Sequence, residues 1–105
     1  MDKRKSLRVV KRLEVKFTIE AENTAITNDL SETGLFVKTN KGIEPGRAID
    51  LKLTLPNSQE LFLSGRIVRN IKSLPALVGN SKSGMGIQLI EPPLDYIQYI
   101  QSIRN

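Results

Sequence analysis

Apolar and polar residues alternate with a period of two along much of this sequence, which is typical of half-buried β-strands. The first alternating run covers residues 13–21. A second run covers residues 47–55, and after the turn "PNSQ" the same apolar face continues over residues 61–70. These runs predict antiparallel strands that are joined by short connections.

Shorter segments complete the prediction of an all-β fold. Three further strands are predicted in the segments "TAITNDL", "LFVKT" and "GMGIQLI". Residues 71–83 show no period, and we interpret them as a mobile loop. Six strands joined by short links predict an antiparallel barrel, and a short amphipathic helix over about residues 92–103 is expected to cap one end of it. The helix is predicted from apolar residues that recur every three positions, at Leu94, Ile97, Ile100 and Ile103.

The excess positive charge lies at the N-terminal end of the chain. Residues 1–16 contain seven basic and two acidic residues, a net charge of +5, whereas the rest holds nine of each and is neutral. An anionic partner would therefore meet the protein at this end, although a basic terminus can also serve only to keep a protein in solution. We divide the chain into a flexible basic arm, residues 1–12, and a barrel domain, residues 13–105.

The residue types argue against several classes of function. The sequence contains neither His nor Cys, so it lacks the commonest general base and the commonest metal ligands. We therefore expect no enzymatic activity, no metal site and no cofactor. No apolar run approaches the roughly 18–20 residues of a membrane span, and the N-terminus has no apolar signal-peptide core. The sequence predicts a cytoplasmic protein without a membrane span.

The segment "NDLSETG" carries three residues that are suited to ligand binding. Asp29, Ser31 and Gly34 form D-x-S-x-x-G at a predicted corner between two strands. A carboxylate accepts hydrogen bonds from the N–H groups of a base, and a serine hydroxyl both donates and accepts. Glycine permits a positive φ and a close approach of the main chain to a ligand. The same hexapeptide can instead be a turn that bonds only to its own backbone.

Upstream of this motif, "RKSLR" places Arg4 four residues before Arg8, just ahead of the first strand. Together with "NDLSETGLFV", "GRIVRN" and "GMGIQLI" in this order, the segment resembles the PilZ domain, a bacterial six-stranded barrel that binds the second messenger cyclic di-GMP. The resemblance covers nearly the whole chain. It implies that Arg4 and Arg8 form the R-x-x-x-R motif of the family, and that Asp29, Ser31 and Gly34 form its second ligand-binding motif.

A second register of the first motif stays open, because Arg8 and Arg12 in "RVVKR" also form R-x-x-x-R. We favour Arg4 and Arg8. In the family the second arginine directly precedes the first strand and is usually followed by Val or Ile, as Arg8 is followed by Val9. Lys3 stands where many family members have an arginine, and lysine lacks the planar fork of arginine. The number of ligand molecules bound, one or two, is therefore open as well.

Further candidate residues come from the same resemblance. Arg69 ends "GRIVRN", where the family often has a large or basic side chain near the ligand, although a solvated strand-end arginine is the simpler interpretation. Gly86 is a candidate for close approach of the main chain to the ligand. Lys3 and Lys5 flank the first arginine and are candidates for contact with the ligand. Phe36 alternates to the face opposite Leu35 and Val37, where core packing and partner contact are both open, and we assign it to the core. Tyr96 and Tyr99 are expected to flank the apolar stripe of the helix.

The resemblance implies a stand-alone receptor for cyclic di-GMP. Ligand would close the arm, residues 1–12, over the barrel and change the surface that an unidentified downstream protein meets, in the regulation of motility or biofilm formation. We expect no DNA or RNA partner, because the barrel is neutral and aromatic residues make up only 5% of the chain. A monomer or weak dimer is expected. The main alternative is a PilZ-like protein-interaction adaptor that binds no nucleotide.

Overall fold

The structure is a computed structural model, and it describes residues 8–18, 21–39, 43–71 and 83–104. Each of the six predicted strands is present, and an additional strand of two residues precedes them. Residues 1–7 and most of the predicted loop, residues 72–82, lie outside the described residues. The elements in chain order are β1 (Val9–Val10), β2 (Glu14–Thr18), β3 (Glu22–Leu30), β4 (Gly34–Lys38), β5 (Ala48–Thr54), β6 (Glu60–Ile71), β7 (Gly84–Leu89) and α1 (Leu94–Ile103).

Six of the strands close into a barrel. Their order is β3–β2–β5–β6–β7–β4, and β4 pairs with β3 to complete the circle. Every pairing in this circle is antiparallel. Closure pairs both edges of each of the six strands, which satisfies their backbone hydrogen-bonding groups and protects them from other chains. The predicted six-stranded antiparallel barrel with a C-terminal helix is confirmed.

The short strand β1 lies beside the end of β3. Its two valines pair with Leu30 and Asp29, beyond the point where the pairing between β2 and β3 ends. Between β1 and β2, the buried Thr27 hydroxyl donates to the Lys11 carbonyl at 2.7 Å and accepts from the Leu13 amide at 2.9 Å. β1 belongs to the segment assigned to the basic arm, so the last residues of that segment are paired with the barrel.

The barrel interior is filled by the apolar residues of the alternating pattern. Because successive side chains of a strand point to opposite faces, each apolar position of a half-buried run enters the same core. Removal of this apolar surface from water is the main stabilising contribution, at about 25 cal/mol for each Å² buried. The strand residues with no exposed surface include Val15, Leu30, Leu35, Val37, Leu53, Ile67 and Met85.

Helix α1 packs on the barrel with a different face from the predicted one. Tyr96 and Ile100 are buried, one turn apart, whereas Leu94 is 67% exposed. At 3.6 residues per turn, a step of three residues falls about 60° short of a full turn, so residues repeated every three positions drift around the helix. The predicted stripe is therefore wrong at Leu94, and Tyr96 lies at the centre of the buried face. Within the described part of the chain, no helix is long and apolar enough to cross a bilayer.

Two β-bulges decide which side chains face outward on one side of the barrel. The pairing of β3 with β4 shifts between Thr27 and Asp29, and that of β6 with β7 shifts between Ile67 and Arg69. Strict alternation from the buried Thr27 and Ile67 would turn Asp29 and Arg69 inward. The extra residue in each bulge reverses the alternation. Both polar side chains consequently lie on the outer surface, while Leu30 returns to the core.

Candidate functional site

A row of four paired residues crosses the outer face of the barrel. Asp29 of β3 is opposite Phe36 of β4, Phe36 is opposite Gly86 of β7, and Gly86 is opposite Arg69 of β6. All four residues line a cavity of about 420 Å³, and Arg8 lines it as well. This volume lies within the range of small-molecule sites. We call it the first cavity, and it is the candidate ligand-binding site.

Arg8 and Asp29 form an ion pair at the first cavity. The Arg8 Nη1 atom donates to Asp29 Oδ1 at 2.6 Å, and the Asn28 amide donates to the other carboxylate oxygen at 2.9 Å. Arg8 is close to Asp29 because β1 begins at the next residue and pairs with the end of β3. The Arg8 side chain is 50% exposed, and that of Asp29 is 18% exposed. A pair this exposed contributes less than about 1 kcal/mol to stability, so a ligand can replace it at small cost.

Two glycines of β7 allow large side chains to lie across the strand. A Cβ atom on Gly84 would lie 2.5 Å from the Phe36 ring, and one on Gly86 would lie 3.3 Å from Cγ of Arg69. Phe36 from β4 and Arg69 from β6 therefore rest directly on the main chain of β7. Their ring and guanidinium group border the first cavity, and both groups can stack on a purine.

Gly34 and Ser31 shape the turn before β4. A Cβ atom on Gly34 would collide with the carbonyl oxygen of Ile87 on β7, so this close strand spacing requires glycine. The φ of Gly34 is not positive, which corrects one of the two roles expected for it. The buried Ser31 hydroxyl accepts from the Gly34 amide at 3.2 Å and donates to the Gly34 carbonyl at 3.3 Å. Ser31 therefore bonds within the turn and does not line the cavity.

The structure places most of the described candidate residues at one location. Ser31 is buried and does not line the first cavity. Arg4, Lys3 and Lys5 lie outside the described residues. The predicted site residues that line the first cavity are Arg8, Asp29, Gly34, Arg69 and Gly86.

Phe36 is a site residue that the sequence interpretation missed. The sequence assigns it to the core, but its side chain is only half-buried and lines the first cavity. Its neighbours Leu35 and Val37 are completely buried. Their burial turns Phe36 outward, because adjacent residues of a strand face opposite sides. Alternation places Phe36 on the face opposite Leu35 and Val37, and its apolar character then led to the wrong assignment to the core.

The family model for the PilZ domain matches residues 2–103. This chain belongs to the PilZ domain family. PilZ domains are non-catalytic receptor domains for c-di-GMP, so family membership confirms that the chain is not an enzyme. The match includes both candidate motifs, and it extends into the N-terminal segment that contains Arg4.

Solved structures share the PilZ fold with this chain at low sequence identity. The Bacillus subtilis inhibitor of motility, MotI/DgrA, has a TM-score of 0.78 at 17% identity over 97% of this chain and 49% of its own. The K. pneumonia MrkH–c-di-GMP complex has a TM-score of 0.77 at 15% identity, over 99% of this chain and 52% of its own. The PilZ domain of Escherichia coli YcgR with c-di-GMP has a TM-score of 0.75 at 10% identity, over 98% of this chain and 92% of its own. The chain thus spans about half the length of the first two. No curated protein matches the sequence.

In this PilZ domain, helix α1 is bonded to the D-x-S-x-x-G turn. The Tyr96 hydroxyl donates to the Ser31 carbonyl at 2.7 Å. Arg104, just after the helix, forms an ion pair with Glu32 of the turn at 2.9 Å. Burial raises the pKa of the Tyr96 phenol, and the positive charge of Arg8 opposes this rise in part. The helix is therefore bonded to the turn that precedes β4.

We expect Tyr96→Phe to lower the free energy of unfolding by about 1–2 kcal/mol near neutral pH, because the Ser31 carbonyl loses its buried donor. Above about pH 10, Tyr96 ionises in the unfolded chain while the folded phenol stays protonated. The free energy of unfolding of the wild-type protein therefore falls as the pH rises through this range. The Phe variant has no phenol at this position, so it lacks this pH-dependent loss. Measured by urea unfolding, the difference in free energy of unfolding between wild type and Tyr96→Phe should become smaller between about pH 8 and pH 11.

Tyr99→Phe is the matched control for this measurement. The Tyr99 hydroxyl is buried and has no hydrogen-bond partner within the described residues. Its removal should change the free energy of unfolding by less than about 0.5 kcal/mol near neutral pH. A cost of Tyr96→Phe that stays the same at every pH would contradict the raised pKa of the Tyr96 phenol.

Proposed function

We propose that this PilZ domain is a receptor for cyclic di-GMP. In this proposal Arg4 and Arg8 bind the ligand from the first motif, and Asp29, Ser31 and Gly34 bind it from the second. The observation that carries the proposal is the ion pair between Arg8 and Asp29 at the mouth of the first cavity. Two motifs that are separated along the sequence supply one cation and one carboxylate to the same small-molecule site.

The chemistry of the cavity matches the groups of a cyclic guanine dinucleotide. A guanidinium pairs bidentately with phosphate oxygens and with the O6/N7 edge of guanine, which are the targets for Arg8. The Asp29 carboxylate accepts from the N1–H and N2–H₂ groups of guanine. The Phe36 ring and the Arg69 guanidinium border the cavity and offer faces on which a base stacks.

Ser31 and Gly34 support the ligand through the turn that they form. Ser31 donates its hydroxyl hydrogen to the Gly34 carbonyl, so that hydrogen must leave the carbonyl before it can bond to a phosphate. Gly34 lines the first cavity without a side chain, which leaves room for the ligand beside the main chain. The wild-type turn geometry is therefore part of the proposed site.

The direct test is a calorimetric titration of cyclic di-GMP into the wild-type protein. We expect saturable binding with a dissociation constant in the micromolar range or below, about −8 kcal/mol, because several bidentate contacts of about 1–3 kcal/mol each would act together. GTP should not compete at the same concentration. If neither calorimetry nor a second method detects binding, the chain is instead an adaptor that binds proteins without nucleotide.

We also propose that the ligand closes residues 1–12 over the first cavity and so changes the surface that a downstream protein meets. Arg8 belongs to this segment, and β1 pairs Val9 and Val10 of the segment with β3. The entropy that a segment loses when it becomes ordered on binding lowers the affinity for the ligand. The same ordering couples ligand binding to a change in the shape of the protein surface. Cyclic di-GMP should therefore slow amide hydrogen exchange in residues 1–12. Equal exchange with and without ligand would contradict closure.

We place this receptor in the cytoplasm, as a monomer or weak dimer.

A further inference from the structure

A second cavity, of about 510 Å³, adjoins the first on the outer face of the barrel. Asp29, Phe36 and Arg69 line both cavities, so the two form one continuous surface with these residues along their shared border. The two cavities are of similar size, and each is within the range of small-molecule sites. The other residues that line the second cavity are Arg12, Asn28, Lys38 and Ile71.

Three cationic side chains line the second cavity, and none of them has an anionic partner among the described residues. Over residues 8–18, 21–39, 43–71 and 83–104, no carboxylate forms an ion pair with Arg12, Lys38 or Arg69. The one carboxylate that lines the cavity, Asp29, is already paired with Arg8. Three positive charges that have no ion-pair partner among the described residues line this concave surface, and they attract an anion. Ile71 and Phe36 add apolar surface beside them.

We propose that the second cavity holds one guanosine-phosphate half of a single cyclic di-GMP molecule, with Arg12 and Lys38 binding its phosphate. This inference rests on the proposed function, because it assumes that the ligand is cyclic di-GMP. That ligand consists of two identical halves, each with one phosphate and one guanine. The surface offers Arg8 in one cavity and Arg12 with Lys38 in the other.

The arrangement also explains why two registers of R-x-x-x-R occur in the sequence. β1 and the Thr27 hydroxyl hold the chain along β3, with Arg8 and Arg12 on either side of the paired residues. Arg8 then lines the first cavity and Arg12 lines the second. Arg12 is therefore an additional ligand residue and not a substitute for Arg4.

The test is calorimetric titration of cyclic di-GMP into Arg12→Gln and Lys38→Gln. We expect each variant to weaken binding on the order of tenfold, because each loses a charged hydrogen bond to phosphate. The stoichiometry should stay at one ligand per chain in wild type and variants. Arg47→Gln and Lys16→Gln are the matched controls, since neither residue lines a described cavity, and they should change affinity less than about twofold.

The outcomes separate this inference from the proposed function. If wild type binds but both variants bind as tightly as their controls, the second cavity is not part of the site, while the proposed function stands. If wild type binds two molecules and Arg12→Gln binds one, the cavity holds a separate molecule and the inference is overturned. If wild type does not bind, both proposals fail. Unchanged melting temperatures of the variants establish that lost affinity is not lost folding.

Discussion

Replacement of Arg8 by alanine is expected to lower the affinity for cyclic di-GMP by at least about 100-fold. The variant loses a bidentate arginine contact, which contributes on the order of 1–3 kcal/mol. It also leaves the negative charge of Asp29 without the cation that lies 2.6 Å away in the wild-type protein, and this charge disfavours an anionic ligand. The two effects act in the same direction. Calorimetric titration of wild type and variant measures the change directly.

The structure supplies controls for this variant. Arg47→Ala removes an exposed arginine that lines no described cavity, and its affinity should stay within about twofold of wild type. Because the pair with Asp29 is exposed, Arg8→Ala should change the free energy of unfolding by less than about 1 kcal/mol. Binding by Arg8→Ala within about threefold of wild type would mean that the first motif does not carry the site.

Replacement of Gly34 by alanine is expected to destabilise the fold by about 3 kcal/mol or more. The new methyl group would collide with the carbonyl oxygen of Ile87, which belongs to the main chain of β7 and cannot turn away as a side chain can. Relief of the collision requires β4 and β7 to separate where they pair, and overpacking of this kind is costly. Chemical unfolding of wild type and variant measures the loss.

Gly86→Ala is the matched control on the same face of the barrel. Its Cβ atom would lie 3.3 Å from Cγ of Arg69, the middle of a flexible side chain that can shift. We expect a stability loss of less than about 1 kcal/mol, but weaker ligand binding because Arg69 is displaced from the cavity. A Gly34→Ala variant as stable as Gly86→Ala would show that the strand spacing at Gly34 adjusts, and that its glycine serves the ligand alone.

The two substitutions distinguish two structural reasons why a strand position in this barrel is occupied by glycine. Gly34 is required because two main chains approach each other, so its loss acts on folding. Gly86 faces the flexible Arg69 side chain, so its substitution acts first on the position of Arg69. Gly84 combines both reasons, because a Cβ atom there would lie 2.5 Å from the Phe36 ring and 2.5 Å from the main-chain carbonyl oxygen of Val37. A sequence shows only the glycine in each case, since the neighbouring atoms belong to other strands.

The sequence alone was sufficient for the barrel and for most of its strands. Alternation of apolar and polar residues depends only on neighbours in the chain. It correctly identified six strands, and it identified the inward face over most of the long alternating runs. The two candidate motifs could also be proposed from the sequence, because their residue types and spacing are local properties. The helix was predicted, but its buried face was not. A repeat of three does not match 3.6 residues per turn, and the contact of Tyr96 with the Ser31 carbonyl is long-range.

Only the tertiary structure decided how the surface around Asp29 is built. Bulges in β3 and β6 reverse the alternation and turn Asp29 and Arg69 outward, where a strict period of two would bury them. A bulge depends on the partner strand, so local periodicity carries no signal for it. Pairing across β3, β4, β7 and β6 then brings Asp29, Phe36, Gly86 and Arg69 into one row. The sequence by itself determined the barrel and its chemical groups, and strand pairing decided which of those groups meet.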